Sequence, residues 1–399
     1  MSKRSHGEGN IETRGEDTHR LRYRVNGRVK RKTFHGSLTE ARRELRGLLK
    51  AGDDGQHVDP SKMKLGEWIE HWISIGCPGN KRRKEVGRRS LERYAELLRC
   101  HVKPTLGERP LQKLQASEID ALYVQLLEKM AARTAHHVHT VLGACLGTAT
   151  RTRKLSRNPM LELAKTPSPD EADHGIALEP EDLRRLIEGF KGSALYPIVA
   201  VAAFTGARRN EILALRWCDL DVDAQTLRIE RALEETKAHG LQIKQPKTAR
   251  GIRTIKIEGD LIALLSAERE KYLRLQAGVP MGVAVDLSLV RLPATALMFP
   301  NPPAAGQFDL TAPRHPRNTT KEVKRKMATL GVKSMRPFHD FRGTHETMLL
   351  DAGVPVHVVA ARCGHDAAVL LRSYAKRTKK ADISAAAVIS GLSAGVLKA

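Results

Sequence analysis

At 399 residues, 41% of them hydrophobic, the chain is long enough for two or three domains with cores of their own, which excludes disorder throughout. Lysine and arginine number 68 against 45 aspartates and glutamates, and the formal charge of +23 calls for a polyanionic partner, nucleic acid before an anionic membrane surface. A membrane is disfavoured further: no run of about 18 apolar residues could span a bilayer, and aromatic residues, which anchor surface-bound basic helices, make up only 4%.

Residues 1–19 are polar and expected to be disordered. They hold no apolar segment of the signal-peptide kind, so a cytoplasmic location is expected. From Leu21, LRYRVNGRVKRKTF is two alternating runs about Asn26-Gly27, a hairpin signal because both turn positions need positive φ. Arg22, Arg24, Arg28, Lys30, Arg31 and Lys32 crowd this ribbon, and a ribbon fits the DNA major groove. The next stretch is helical, with Ser37 and Glu40 as a capping box and Leu38, Ala41, Leu45, Leu48 and Leu49 on one stripe. Gly52 is expected just past its end.

That first unit, residues 20–52, is joined by a Gly/Asp-rich linker at 53–63 to a second, 64–165, where the periodicity is helical throughout. Four helices are expected. LGEWIEHWI places Leu65, Trp68, Ile69 and Trp72 on one stripe, and these aromatics are expected in the core. RRSLERYAELLRCHV follows, then ASEIDALYVQLLEKM from a Ser117 cap, then RTAHHVHTVLGACLGTATRTRK, which stops before Asn158-Pro159. Between the first two lies NKRRKEVGRR, where Lys81, Arg82, Arg83, Lys84, Arg88 and Arg89 suit phosphate contacts that set position rather than sequence.

A linker at 166–175 leads to a third unit, 176–383, followed by a small, apolar tail at 384–399. Here YPIVAVAAFTGARRNEILALRW gives an apolar helix ending at Thr205-Gly206 and a second helix carrying Arg208 and Glu211 on one face. The alternating runs TLRIERAL, LQIKQPK and IRTIKIEG are expected to form a small antiparallel sheet, with Lys247 and Thr248 at a turn. Six prolines from Pro293 to Pro316 mark a loop, and NTTKEVKRKMATLGVKSMR is expected to be a basic helix facing a DNA backbone. The predicted fold class is multidomain and mainly α: a small sheet-plus-helix module, a four-helix domain, and a mixed α+β domain with a small antiparallel sheet. Five scattered cysteines without CxxC spacing indicate neither a disulfide framework nor a zinc site. No metal site is expected among the histidines either; His136 to His139, HHVH, are placed on a surface helix.

The stretch from Pro337 to Lys380 carries the chemistry. His339 and Arg342 stand three apart in HDFR, one face of a helix, and form a surface that can hold an anion and move a proton. His365 follows in CGHD, and Tyr374, the only tyrosine after Tyr272, lies in LLRSYAKRTKK. With Arg208 and Lys247 upstream, these residue types match the needs of phosphodiester transfer. Two guanidiniums can grip a phosphate through paired N–H donors. A phenol can act as nucleophile when a base and cations surround it. Imidazole is a fitting base at His339, Lys247 can deliver a proton to a leaving hydroxyl, and His365 can donate to the phosphate. Glu211, one turn from Arg208, can hold that guanidinium.

In this order, Arg208, Lys247, His339 and Arg342, His365, Tyr374, the chain resembles the tyrosine recombinases of the phage-integrase type. The resemblance implies that the tyrosine matching Tyr374 forms a 3′-phosphotyrosine link and frees a 5′ hydroxyl, which attacks the equivalent link in a partner duplex. Bond energy is conserved, so neither ATP nor a metal cofactor is implied. It also implies four protomers acting on two double-stranded attachment sites through a Holliday junction, with a host bending factor and an excisionase as possible partners. Residues 20–52 resemble an arm-type DNA-binding module, 64–165 a core-binding domain, and 176–383 the catalytic domain. Gly343 after Arg342, Arg362-Cys363 before Gly364, and Leu371 depart from the usual family text. The tail is either a self-packed helix or a segment that docks on a neighbouring protomer.

Two other readings use the same residues. A topoisomerase or dimer-resolving recombinase would share the chemistry, and the N-terminal hairpin module speaks for an integrase instead. A non-enzymatic DNA-binding or architectural protein on the same fold would have no physical need for Tyr374 or Lys247.

Overall fold

A computed structural model describes residues 9–25, 27–53, 58–79, 86–168, 177–246, 249–303 and 308–374. The chain divides into two compact units, residues 1–172 and 173–399.

In the first unit, β1 (Asn10–Gly15), β2 (Thr18–Val25) and β3 (Arg28–His35) form an antiparallel sheet in that order. Strand β1 and the start of β2 correct the expected disorder for residues 10–19, while residues 1–8 lie outside the described residues. The polar text of β1 carries almost no burial signal, since only Ile11 packs against the core, and the strand is held instead by backbone pairing from Asn10 opposite Arg22 to Thr13 opposite His19. Asn26 of the turn lies outside the described residues, and Gly27 adopts φ +75°. Helix α1 (Leu38–Asp53) covers one face, where Ala41 and Leu45 bury Leu21, Tyr23 and Val25. At its start the Ser37 N–H and hydroxyl donate to Glu40 Oε2 at 2.8 and 2.9 Å, and the Glu40 N–H donates back to Ser37 Oγ at 3.3 Å. Gly52 lies inside this helix rather than past it; a Cβ there would come within 3.3 Å of Val25, so a small residue suits the approach to β2.

A separate cluster in the same unit is built from α2 (Leu65–Ser74), α3 (Arg88–His101), the short turn α4 (Lys103–Leu106), α5 (Ala116–Lys129) and α6 (Ala132–Arg151). The α2 stripe of Leu65, Trp68, Ile69 and Trp72 is buried, as an amphipathic helix requires. Each indole N–H finds a partner there: Trp68 Nε1 donates to the Cys145 carbonyl and Trp72 Nε1 to Thr148 Oγ1, both at 3.2 Å. Helix α5 is capped two residues earlier than expected. Gln115, not Ser117, is the N-cap, and its N–H donates to Glu118 Oε2 at 3.0 Å. Of the α6 histidines His137 is exposed, as expected, but the other two are half-buried. His139 lies 3.1 Å from the Tyr123 hydroxyl and His136 Nδ1 lies 2.8 Å from the Pro167 carbonyl oxygen, while burial lowers the His139 pKa.

The second unit begins with α7 (Pro180–Phe190), α8 (Tyr196–Thr205) and α9 (Arg209–Ile212). Helix α8 is apolar on nearly every side because it runs through the core, with Ile198, Val199, Val201 and Ala202 fully buried. The strands β4 (Leu220–Asp221), β5 (Thr226–Ile229), β6 (Ala232–Thr236), β7 (Gly240–Lys244) and β8 (Arg253–Lys256) make two antiparallel sheets rather than one, β4-β5-β8 and the hairpin β6-β7. Helix α10 (Gly259–Ala277) leads into the proline-rich stretch, which is not wholly a surface loop: Ala296 to Phe299 are buried, and Met298 N–H donates to the Leu215 carbonyl at 2.8 Å. Helices α11 (Pro316–Thr329), α12 (Pro337–Asp351), α13 (Val356–Cys363) and α14 (Ala367–Tyr374) complete it. Among the described residues no helix is long and apolar enough to cross a membrane.

Candidate active site

A cleft of about 370 Å³ opens in the second unit, lined by Arg208, Arg209, Asn210, Thr320, Met335, Arg336, Phe338, His339 and Arg342. Four guanidiniums and an imidazole face a single space with no carboxylate among its described lining residues, which suits an anion carrying several oxygens.

Arg208 does not ride on a helix as expected. It is the N-cap residue of the short α9, reached through the left-handed Gly206 that ends α8. Its backbone N–H donates to Glu211 Oε2 at 2.9 Å and its guanidinium to Glu211 Oε1 at 2.8 Å, while Nη2 donates to the Gly364 carbonyl at 2.9 Å. Glu211 therefore holds Arg208, and it holds more. Arg253 on β8 donates to Glu211 Oε2 at 2.8 Å, with both side chains almost fully buried. Burial pushes the Glu211 carboxyl up, but Arg253 and Arg208 outweigh it and keep it below the usual carboxylate range.

Arg342 sits on α12 with only 3% of its side chain exposed, against 42% for Arg208. Nη1 donates to the Gly206 carbonyl and Nη2 to the Cys363 carbonyl, each at 2.7 Å, so the last carbonyls of α8 and α13 fix the guanidinium plane. Burial first, then the neighbouring Arg208 charge, lowers the Arg342 pKa. Its Nε lies 3.0 Å from Glu346 Oε1, and His365 Nε2 lies 2.7 Å from the same oxygen. An ionised carboxylate only accepts, so the 2.7 Å contact assigns the His365 hydrogen to Nε2. Arg342 Nε also approaches His365 Nε2 at 3.1 Å, so the guanidinium and the imidazole crowd one carboxylate oxygen.

His339, three residues before Arg342 on α12, is exposed and lines the cleft. Beneath it, Phe338 and Phe341 anchor the helix in the core. His345 faces the other way, with Nδ1 3.0 Å from the Ala203 carbonyl and Nε2 accepting from Arg362 Nε at 3.1 Å. Burial and the Arg362 charge lower its pKa to about 4.

Tyr374 is not part of the cleft lining. Its hydroxyl donates to Asp351 Oδ1 at 2.9 Å, at the far end of α12 and about 13 Å along that helix from Arg342. Lys247 lies outside the described residues, as do Lys81, Arg82, Arg83 and Lys84 and the tail at 384–399. The structure thus brings together Arg208, Glu211, Arg342 and His365, of which Arg208 and Arg342 line the cleft with His339, and it keeps Tyr374 at Asp351.

On the N-terminal sheet the pleat divides the basic residues. Arg22 lies opposite Arg31, and Arg24 opposite Val29, so three arginines share the face turned from α1. Lys30 and Lys32 lie opposite Tyr23 and Leu21 on the helix-covered side, where they pair with Asp59 at 2.7 Å and Glu44 at 2.6 Å. Arg28 is exposed beside the turn, and Arg88 and Arg89 are exposed at the start of α3.

Sequence reasoning missed Glu346, Arg253 and Asp351. Glu346 carried a signal, since it stands four residues from Arg342 on one helix. Arg253 and Asp351 carried none, because their partners are distant in the chain.

The phage integrase family model matches residues 177–381. Among relatives, an integrase of Streptomyces ambofaciens is 27% identical over 179 residues, 45% of this chain and 44% of its own length. A XerC-like tyrosine recombinase of Caldanaerobacter subterraneus is 25% identical over 362 residues, 85% of this chain and 86% of its own. The Tn1549 transposon integrase, solved with a circular intermediate DNA, shares the fold with a TM-score of 0.64 at 18% identity, over 83% of this chain and 99% of that one. A lambda integrase dimer on a COC′ core site gives 0.54 at 13% identity, over 79% and 97%. Because the family model spans just over half of the 399 residues and takes in every residue of the cleft, the chain belongs to the phage integrase family and is a tyrosine site-specific recombinase.

Proposed function

We propose that this recombinase breaks and rejoins DNA at attachment sites through a 3′-phosphotyrosine at Tyr374, integrating or excising a phage or other mobile element. The observation that carries the reading is the cleft in which Arg208, Arg342 and His339 converge with no acid among its described lining residues. A phosphodiester seated there meets two guanidiniums where charge grows on its non-bridging oxygens. The Tyr374 oxygen attacks phosphorus and passes its proton to His339; the bond from phosphorus to the 5′ oxygen breaks, and Lys247 supplies that oxygen's proton. Reversal with a different 5′ hydroxyl seals the recombinant strand. No net bond energy is spent.

Tyr374 must first exchange its hydrogen bond with Asp351 for the cleft, so this reading includes a movement of α14. Arg22, Arg24 and Arg31 suit a groove or backbone contact at a second, arm-type site, with residues 64–165 on the core site. Assembly is a homotetramer on two duplexes, with a host bending factor and excisionase setting direction.

The test is incubation with nicked duplexes taken from DNA flanking its gene, followed by a search for an SDS-resistant adduct. Wild-type protein is expected to form one and Tyr374→Phe none. An adduct that survives the substitution would remove Tyr374 as nucleophile, and tight binding without any adduct would favour a binding-only protein.

A further inference from the structure

Arg342 and His365 are both held by one side chain that the phosphotyrosine chemistry does not itself require. Glu346 lies one helical turn after Arg342 and is 2% exposed, and its Oε1 stands 3.0 Å from Arg342 Nε as an ion pair and 2.7 Å from His365 Nε2. Neither contact is incidental to the backbone. Arg342 already has two carbonyl acceptors, so the ion pair at Nε with Glu346 adds a third restraint on the guanidinium. His365 follows Gly364, which ends α13 at φ +67°, and its ring has no helix of its own to hold it.

We propose that Glu346 is a positioning residue of the site: by contacting Arg342 Nε and His365 Nε2 through one oxygen, it holds both groups in place beside the cleft and keeps the hydrogen of His365 on Nε2. The kinetic part of this inference rests on the recombinase reading above; the tautomer part does not. A carboxylate that only balanced a buried charge would need no contact with His365. Here the shorter of its two bonds goes to the histidine.

The experiment has two arms. In the first, ¹⁵N-histidine spectra of the full chain, with His365 assigned by His365→Gln, report which ring nitrogen carries hydrogen. Nε2 is expected, and an Nδ1–H tautomer in the wild type would overturn the proposal. In the second, adduct formation on nicked flanking duplexes is followed for Glu346→Ala and Glu346→Gln, with duplex affinity measured alongside. Loss of the bridge in Glu346→Ala is expected to slow cleavage about 100-fold with duplex Kd nearly unchanged, as misplacement of a reacting group does. Glu346→Gln, which keeps an oxygen acceptor, is expected to fall less, by about tenfold. Folded variants cleaving at the wild-type rate would show a charge-balancing role and sink the proposal. If Glu346→Ala does not fold, the Gln variant decides the kinetic arm. If the wild type itself forms no adduct, the recombinase mechanism fails while the tautomer still decides the role of Glu346.

Discussion

Glu211 lies between two guanidiniums, Arg208 at the edge of the cleft and Arg253 behind it, and it is buried with the second. Glu211→Ala strands the Arg253 charge in the interior, and a broken buried pair costs about 3–5 kcal/mol. Urea unfolding should show that loss, with Glu211→Gln intermediate. Its lowered pKa has a direction: the stability it contributes is present above the ordinary glutamate range and is lost as pH falls through the folded-state value. His345 acts at a higher pH. With a folded pKa of about 4, it binds its proton more weakly when folded than when unfolded, so stability is full above about pH 6.5 and declines toward pH 4. The slope approaches about 1.4 kcal/mol per pH unit in that window. Comparing urea midpoints at pH 7 and pH 5, the wild type should lose about 2 kcal/mol and His345→Asn clearly less; equal losses would contradict the buried, neutral imidazole.

Among the elements, the turn between α8 and α9 carries the most constraint. Gly206 has φ +62°, and a Cβ there would come within 2.8 Å of His345 and 3.2 Å of the Cys363 sulfur, while its carbonyl holds Arg342. Gly206→Ala should therefore cost about 1–3 kcal/mol and slow strand cleavage as well, measurable by thermal unfolding and adduct formation. On the N-terminal sheet, alternation of side chains makes a sharper prediction. Replacing Arg22, Arg24 and Arg31 by alanine should weaken DNA binding and reduce the slope of log K against log salt by about 2.7, roughly 0.9 per phosphate contact. Replacing Lys30 and Lys32, which are tied to acids on the helix side, should change it far less. The helices and hairpin were legible in the sequence because their apolar spacing is local, and Arg208, His339, Arg342 and His365, which the fold places in or beside one cleft, stood out because their order is distinctive. Strand β1 stayed hidden because its pairing, not its burial, holds it. The Asp351 partner of Tyr374 and the Arg253 partner of Glu211 were hidden because they are joined only by the folding of the chain.

For the molecule as a whole, the formal charge of +23 makes association with DNA steep in ionic strength, whatever the attachment site. The arrangement around the cleft adds a separate property. Arg342, from α12, hangs on the terminal carbonyls of α8 and α13; Arg208, just past α8, hangs on Gly364 at the end of α13; Glu346 ties α12 to His365. Two helix ends and the middle of α12 are thereby cross-braced like the members of a truss, in which no strut can slacken alone. Backbone amides near residues 203–208, 342–346 and 360–366 should exchange with deuterium as one cooperative block, and cutting any brace should release all three together.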